Sequence, residues 1–307
     1  PRSSGSRTGS TWPGYGSGVA RAPGPGARRQ TGAMTDASVI FVHGVGGPVP
    51  GWDDALRAAV RRRGAELVLA TTTVEYAHVL DGEGRSRPPA PVLFDADQTG
   101  RLAGLDRNAL LSLVASVAAE PGGTDGAARL RPPLFLPAGL LVRWPWSGMA
   151  HARAYRGQPT LRSAARAAIA AQIDAAAGSG PIIVLAHSLG SVIVLDLLHR
   201  HNVPVDLLVS LGSPLGVDDT WGRAFEGRPL PPGRVGAWLN VVNTRDPIPW
   251  NRGAGGRFPD AVDAFITRGR LPVGPGGAHD PATYTGSDLV AAAVIAAAAL
   301  RPLTSAP

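Results

Sequence analysis

The chain has 307 residues, of which 44% are hydrophobic, and it is long enough to form one large α/β domain with a buried core. It contains no cysteine, which excludes disulfides, thiolate catalysis and cysteine-ligated zinc. The net charge of +7 does not indicate a nucleic-acid partner, because residues 1–33 hold five arginines and no acidic residue, which leaves only +2 for the rest of the chain.

The N-terminal segment is predicted to be a disordered tail over residues 1–36. It is rich in Gly, Ser, Pro and Arg, and it lacks the apolar core of a signal peptide. Met34, just before the first predicted strand, favours a translation start closer to that strand. No apolar run reaches the ~18 residues that a membrane span needs, and residues 289–300 come closest. We therefore expect a cytoplasmic enzyme without a transmembrane segment.

Strands and helices are predicted to alternate over a single domain, residues 37–303. Residues 38–44 form a buried strand that ends in a Gly-rich turn, residues 55–63 form a helix, and residues 66–76 form a second strand. Later elements are a short strand or loop lip at 140–144, a helix at 160–177, strands at 182–187, 205–211, 237–243 and 264–267, a helix from the serine at 188 to about 201, and a helix at 287–300. This order predicts an α/β fold with a mostly parallel central sheet flanked by helices.

Residues 80–140 interrupt this alternation. Clusters of Pro and Gly surround one predicted helix at 108–119. Because an insertion of this length inside a domain is more often functional than structural, a lid or cap over the site is the preferred interpretation. A disordered excursion is the alternative.

The most informative motif is the apolar strand at 182–187 that runs directly into Ser188 and then into a helix. A sharp reversal of strand into helix projects the side chain at its apex, and it requires small residues two positions before and after, here Ala186 and Gly190. Free N–H groups at the start of the helix favour a developing oxyanion. The pattern therefore indicates a serine nucleophile, with a serine that merely caps a helix as the alternative.

A serine nucleophile needs a base, and His279 is the preferred candidate. It lies in a loop between the last strand and the last helix, where a base would project over the carboxyl edge of the sheet. His199 and His201 follow Ser188 too closely in the sequence to fold back over it. We expect His187 to point to the opposite side of the turn and to pack. A surface position for His279 is the alternative.

The base needs an orienting carboxylate, and Asp246 is the preferred candidate. It directly follows the predicted strand at 237–243 and precedes Pro-Ile-Pro, which would hold it rigidly. An Asp that only caps a turn is one alternative. Asp218 and Asp219, which follow the preceding strand, are the competing carboxylates.

An oxyanion hole needs two backbone N–H donors. Leu189, the residue after the nucleophile, is expected to supply one, and the loop at 43–48 the other, with Val45 preferred over Gly46. A phosphate site in this loop is disfavoured because the loop lacks the G-x-G-x-x-G spacing and a P-loop lysine. The residues placed near the substrate are His43, Gly44 and Gly46, with His43 expected to shape the loop rather than to react.

Taken together, these motifs resemble the α/β-hydrolase superfamily, and its lipase-like serine esterases in particular. The matching segments are residues 41–47, 186–190, 211–214, 238–241, 246–248 and 279–280 with Tyr284. The resemblance implies an eight-stranded, mostly parallel sheet and acyl transfer through Ser188. Ala186, in place of the usual glycine, departs from the family pattern, as does the insertion at 80–140.

The function predicted from the sequence is hydrolysis of carboxylic esters through Ser188, His279 and Asp246, on a small-molecule or lipid-like substrate. No cofactor and no metal are expected. Trp144, Trp146 and Trp221 are candidates for an apolar substrate pocket, with core packing as the alternative. Thioester or amide hydrolysis, acyl transfer and a catalytically silent binding module on the same fold are the competing functions.

Overall fold

The structure, a computed structural model, describes residues 36–81, 105–120, 149–217, 229–231, 233–269 and 274–300. All of these residues belong to one unit of the chain. Residues 1–35 of the predicted tail, the predicted strand or lip at 140–144 and most of the 80–140 insertion lie outside the described residues.

A parallel sheet forms the centre of the described part of the chain. Its strands are β1 (Ala37–Val42), β2 (Leu69–Val74), β3 (Ile182–His187), β4 (Leu207–Leu211), β5 (Ala237–Asn243) and β6 (Ala261–Ile266), in the spatial order β2-β1-β3-β4-β5-β6. Every neighbouring pair is parallel. β1, β3, β4 and β5 are buried along their whole length, which explains their nearly continuous apolar sequences.

Helices cover both faces of the sheet. They are α1 (Trp52–Arg62), α2 (Ala77–Leu80), α3 (Arg107–Ala118), α4 (Met149–Gly157), α5 (Pro159–Ala176), α6 (Leu189–Arg200), α7 (Pro281–Thr285) and α8 (Asp288–Ala298). Successive strand residues face opposite sides. Ile40 and Val184 belong to a core cluster with α5 and α6. Phe41 and Leu185 belong to a second cluster with α1, α3 and α8. No helix within the described ranges is long and apolar enough to cross a bilayer.

The predicted α/β fold class is therefore confirmed, with three differences in detail. The described residues form six strands, and not the eight that the family resemblance implies. Strand β6 begins at Ala261, three residues before its predicted start, because its pairing with β5 already includes Ala261 opposite Trp238. Asp263 interrupts the apolar pattern there, and its carboxylate is held by Asn240 and by the backbone N–H groups of Ala254 and Gly255. The short helices α2, α4 and α7 were not predicted.

The turn between β3 and α6 depends on a glycine at position 190. A Cβ atom built there would overlap the carbonyl oxygen of Val42 and would lie 2.5 Å from that of His43. Both carbonyl groups are backbone at the end of β1 and cannot rotate away. The start of α6 can therefore lie against β1 only where position 190 has no side chain.

Replacing Gly190 with alanine is expected to destabilise the fold, because the methyl group meets rigid backbone. Overpacking of this kind costs about 1–3 kcal/mol, and sometimes more. The free energy of unfolding from urea titration measures the effect. Gly157→Ala is the control, because a Cβ atom there meets nothing within 4 Å. Equal stability of the two variants would contradict the prediction.

Candidate active site

Ser188 occupies a strained turn between β3 and α6. Its backbone has φ 50° and ψ −122°, a left-handed value that a non-glycine residue rarely adopts. The Ser188 N–H donates to the carbonyl oxygen of Leu211 at 2.9 Å, and the Ser188 carbonyl accepts from Ser191. These hydrogen bonds to a strand and to the helix stabilise the strained backbone conformation of Ser188. Strained conformations of this kind are typical of functional positions.

The imidazole of His279 bridges Ser188 and Asp246. Its Nε2 lies 3.1 Å from Ser188 Oγ, and its Nδ1 lies 2.6 Å from Asp246 Oδ2. Since a carboxylate can only accept, Nδ1 carries the proton of the neutral ring, and Nε2 faces the serine hydroxyl as an acceptor. The structure thus brings together the three side chains that the sequence predicts to meet.

The loop that carries His279 is fixed at both sides of the histidine. Asn243, the last residue of β5, donates from Nδ2 to the carbonyl oxygen of Ala278 at 2.9 Å. Asp280 caps α7 by accepting from the N–H of Ala282. The histidine is therefore held by its neighbours in the chain as well as by its own ring nitrogens.

Asp246 is fully buried and accepts three hydrogen bonds. Besides His279, it accepts from the Ile248 N–H at 2.8 Å through Oδ1 and from the Tyr284 hydroxyl at 2.6 Å through Oδ2. Burial, together with the adjacent Asp246, raises the pKa of Tyr284 well above its usual value, so this hydroxyl remains a donor. Sequence reasoning assigned Tyr284 no role, because its partner lies 38 positions away and α7 has no catalytic motif.

A glycine makes room for this arrangement at the end of β4. Gly212 has φ 56°, and a Cβ atom there would lie 2.8 Å from Asp246 Oδ2 and 2.9 Å from the Tyr284 hydroxyl oxygen. A side chain at position 212 would displace the carboxylate from His279.

His187 packs, as the sequence predicts, but the prediction that it points to the opposite side of the turn is wrong. Its ring centroid lies 4.6 Å from that of His279, and the two rings are tilted by 42°. The loop that carries His279 crosses the carboxyl end of β3, so it contacts both His187 and Ser188. Burial lowers the pKa of His187 well below its usual value, with the neighbouring His279 as a second cause. His187 is therefore a neutral packing surface for His279.

The other histidines considered for the base lie elsewhere. His199 and His201 are at the carboxyl end of α6, and Ser188 precedes the amino end of that helix. The competing carboxylates and the candidate pocket tryptophans lie outside the described residues, so their roles stay predictions. These residues are Asp218, Asp219, Trp144, Trp146 and Trp221.

The loop after β1 lies directly against the serine. A Cβ atom on Gly44 would be 2.8 Å from the Cβ of Ser188. Val45 follows, with its side chain packed against the core cluster beneath. Leu189 is the first residue of α6, and the first N–H groups of a helix have no acceptor within it. The two predicted oxyanion donors thus belong to backbone segments on either side of Ser188.

His43 and Gly46 are both engaged by other protein groups. The ring of His43 stacks on Tyr76 with a centroid distance of 4.1 Å, and its Nδ1 lies 2.7 Å from the Gly44 carbonyl oxygen. The Gly46 N–H donates to Nδ1 of His151 at 3.2 Å. Gly46, the second choice for the oxyanion donor, is therefore already committed, which favours Val45.

Burial lowers the pKa of His43 to about 4, so its ring is neutral at pH 7.

Among the residues that the structure describes, no group of three His, Asp or Glu could hold a metal ion.

The parallel six-stranded sheet agrees with the α/β fold class that the sequence predicts. No family model matches the sequence, and no curated protein matches it. Among solved structures, one similar chain is a protein of unknown function from Agrobacterium tumefaciens that is described as a candidate α/β hydrolase. It is 11% identical, with a TM-score of 0.37, and the alignment covers 88% of the present chain and 87% of the other.

The buried neutral His43 is expected to make stability depend on pH. An unfolded chain protonates this ring near pH 6.5 whereas the folded protein does so only near 4, so stability is lost as the pH falls between these values. From pH 7 to pH 5 the loss from this group is about 2 kcal/mol. Urea unfolding at the two pH values measures it. In His43→Gln, the free energy of unfolding should differ less between pH 7 and pH 5 than in the wild type. An unchanged difference in the free energy of unfolding would contradict the assignment to His43.

Proposed function

We propose that the protein is a serine hydrolase that cleaves carboxylic esters. The observation that supports this proposal best is the continuous chain of hydrogen bonds from Ser188 Oγ through the imidazole of His279 to the buried carboxylate of Asp246. A serine hydroxyl is a poor nucleophile by itself and becomes an effective one when an oriented base removes its proton.

In the first half of the reaction, Ser188 Oγ attacks the carbonyl carbon of the ester while Nε2 of His279 takes the hydroxyl proton. The ring then carries a positive charge, which the carboxylate of Asp246 stabilises across the 2.6 Å bond to Nδ1. The same Nε2 proton is given to the leaving alkoxide as the bond between carbonyl carbon and alkoxy oxygen breaks. An acyl group remains on Ser188, and an alcohol departs.

In the second half, Nε2 of His279 takes a proton from water, whose oxygen attacks the acyl carbon. The proton returns to Ser188 Oγ as the acyl–serine bond breaks, and a carboxylic acid leaves. In both halves the carbonyl oxygen becomes negatively charged. The N–H groups of Val45 and Leu189 are the proposed donors to it, and removing one such donor costs about 10²–10³ in rate in related sites.

Labelling with a fluorophosphonate tests whether Ser188 is activated. We expect stoichiometric modification of the wild-type protein at Ser188 and none in Ser188→Ala. Ser210→Ala, which removes a buried hydroxyl of β4, is the control and should label as the wild type does. Failure of the folded wild-type protein to react, together with failure to hydrolyse p-nitrophenyl esters of short and long acyl chains, would favour the silent binding module.

Asp246→Asn is expected to lower kcat for a p-nitrophenyl ester by about 10⁴, because an amide that donates to Nδ1 stabilises the wrong tautomer of the base. Asp218→Asn is the matched control, because Asp218 is the alternative orienting carboxylate that the sequence offers. This variant should retain the wild-type rate. The opposite outcome, with activity lost at 218 and kept at 246, would show that the orienting carboxylate is not Asp246. Rates on matched thioester and anilide substrates then separate the competing reactions.

A further inference from the structure

A second histidine–carboxylate pair lies beside the loop that follows β1. It consists of His151 in α4 and Asp81, the residue after α2, with Nε2 of His151 2.7 Å from Oδ1 of Asp81. The side chain of His151 is 9% exposed and that of Asp81 is 51% exposed. The proposed hydrolysis does not use this pair.

The hydrogen bonds of His151 define its tautomer. Its Nδ1 accepts from the N–H of Gly46 at 3.2 Å, so Nδ1 must carry a lone pair. The proton of the neutral ring is then on Nε2, where it is donated to Asp81. This is the reverse of the arrangement at His279, whose Nδ1 donates to its carboxylate. His151 therefore serves as an acceptor for the loop, and Asp81 stabilises the tautomer that allows it.

The same loop is also held at its other end. The Tyr76 hydroxyl donates to the carbonyl oxygen of His43, and the Tyr76 ring stacks on the imidazole of that residue. Val45 lies between these two attachments, which are at His43 and Gly46. Its backbone position is consequently determined by one bond on each side and by the packing of its own side chain.

We propose that His151 is a positioning residue for the oxyanion donor. By accepting the Gly46 N–H, His151 holds the loop in the position in which the Val45 N–H faces the substrate carbonyl oxygen at Ser188. Asp81 keeps the ring of His151 in the required tautomer. This inference rests on the proposed function, since it assigns the loop a role in the same reaction. A misplacement of about 1 Å at such a site can cost about 10²-fold in rate.

Two substitutions at position 151 separate positioning from mere packing. His151→Phe keeps an aromatic ring but removes the acceptor, and it should lower kcat for a p-nitrophenyl ester by about 10–100-fold with little change in KM. His151→Asn keeps an acceptor near the position of Nδ1, and it should retain kcat within about threefold of the wild type. His78→Phe, at an exposed histidine of α2, is the control and should change nothing.

Hydrogen–deuterium exchange of the peptide that contains residues 43–48 provides a readout independent of activity. Exchange should be faster in His151→Phe than in the wild type and close to the wild type in His151→Asn. An unchanged kcat in His151→Phe, equal impairment of the two variants, or unchanged exchange would each overturn the proposal. If the wild type neither labels nor hydrolyses esters, the proposed function fails, and the exchange data alone still decide whether His151 holds the loop.

Discussion

The close approach of Gly190 to the end of β1 is the contact on which the rest of the site depends. It places the amino end of α6 against the strand whose next residues form the loop beside Ser188. The N–H groups of that helix end and those of the loop therefore flank the same hydroxyl. Under the proposed function, this arrangement would supply donors to the oxyanion without a rearrangement of the backbone.

Asp246 is the second organising element, and burial gives it that role. A carboxylate removed from water is stable only where donors replace the lost hydration, and here Ile248, Tyr284 and His279 supply them. These donors come from the turn after β5, from α7 and from the loop before it. The carboxylate thus ties together segments that are distant in sequence, and the direction of its Oδ2 fixes the orientation of the imidazole.

The features that could be predicted from the sequence are those set by where strands end and where small residues stand. Ser188 and Asp246 each follow a continuous apolar strand, and the parallel order of those strands brings such positions to one edge of the sheet. Contacts that depend on side chains reaching across the fold could not be predicted. His151 meets Gly46 over 105 positions, and Tyr284 meets Asp246 over 38. The predicted orientation of His187 was wrong, because side chains no longer alternate between the two faces of a strand where the chain reverses as sharply as at Ser188.

The packing of His187 against the imidazole of His279 restricts how protons can travel. With a neighbouring ring 4.6 Å away and Nδ1 tied to a carboxylate, the imidazole has little torsional freedom about its Cβ–Cγ bond. The ring is therefore held with Nε2, and not Nδ1, toward the serine oxygen. In the proposed reaction, that one nitrogen takes the proton from the serine oxygen and gives it to the departing alkoxide, so the two oxygens have to approach it in turn.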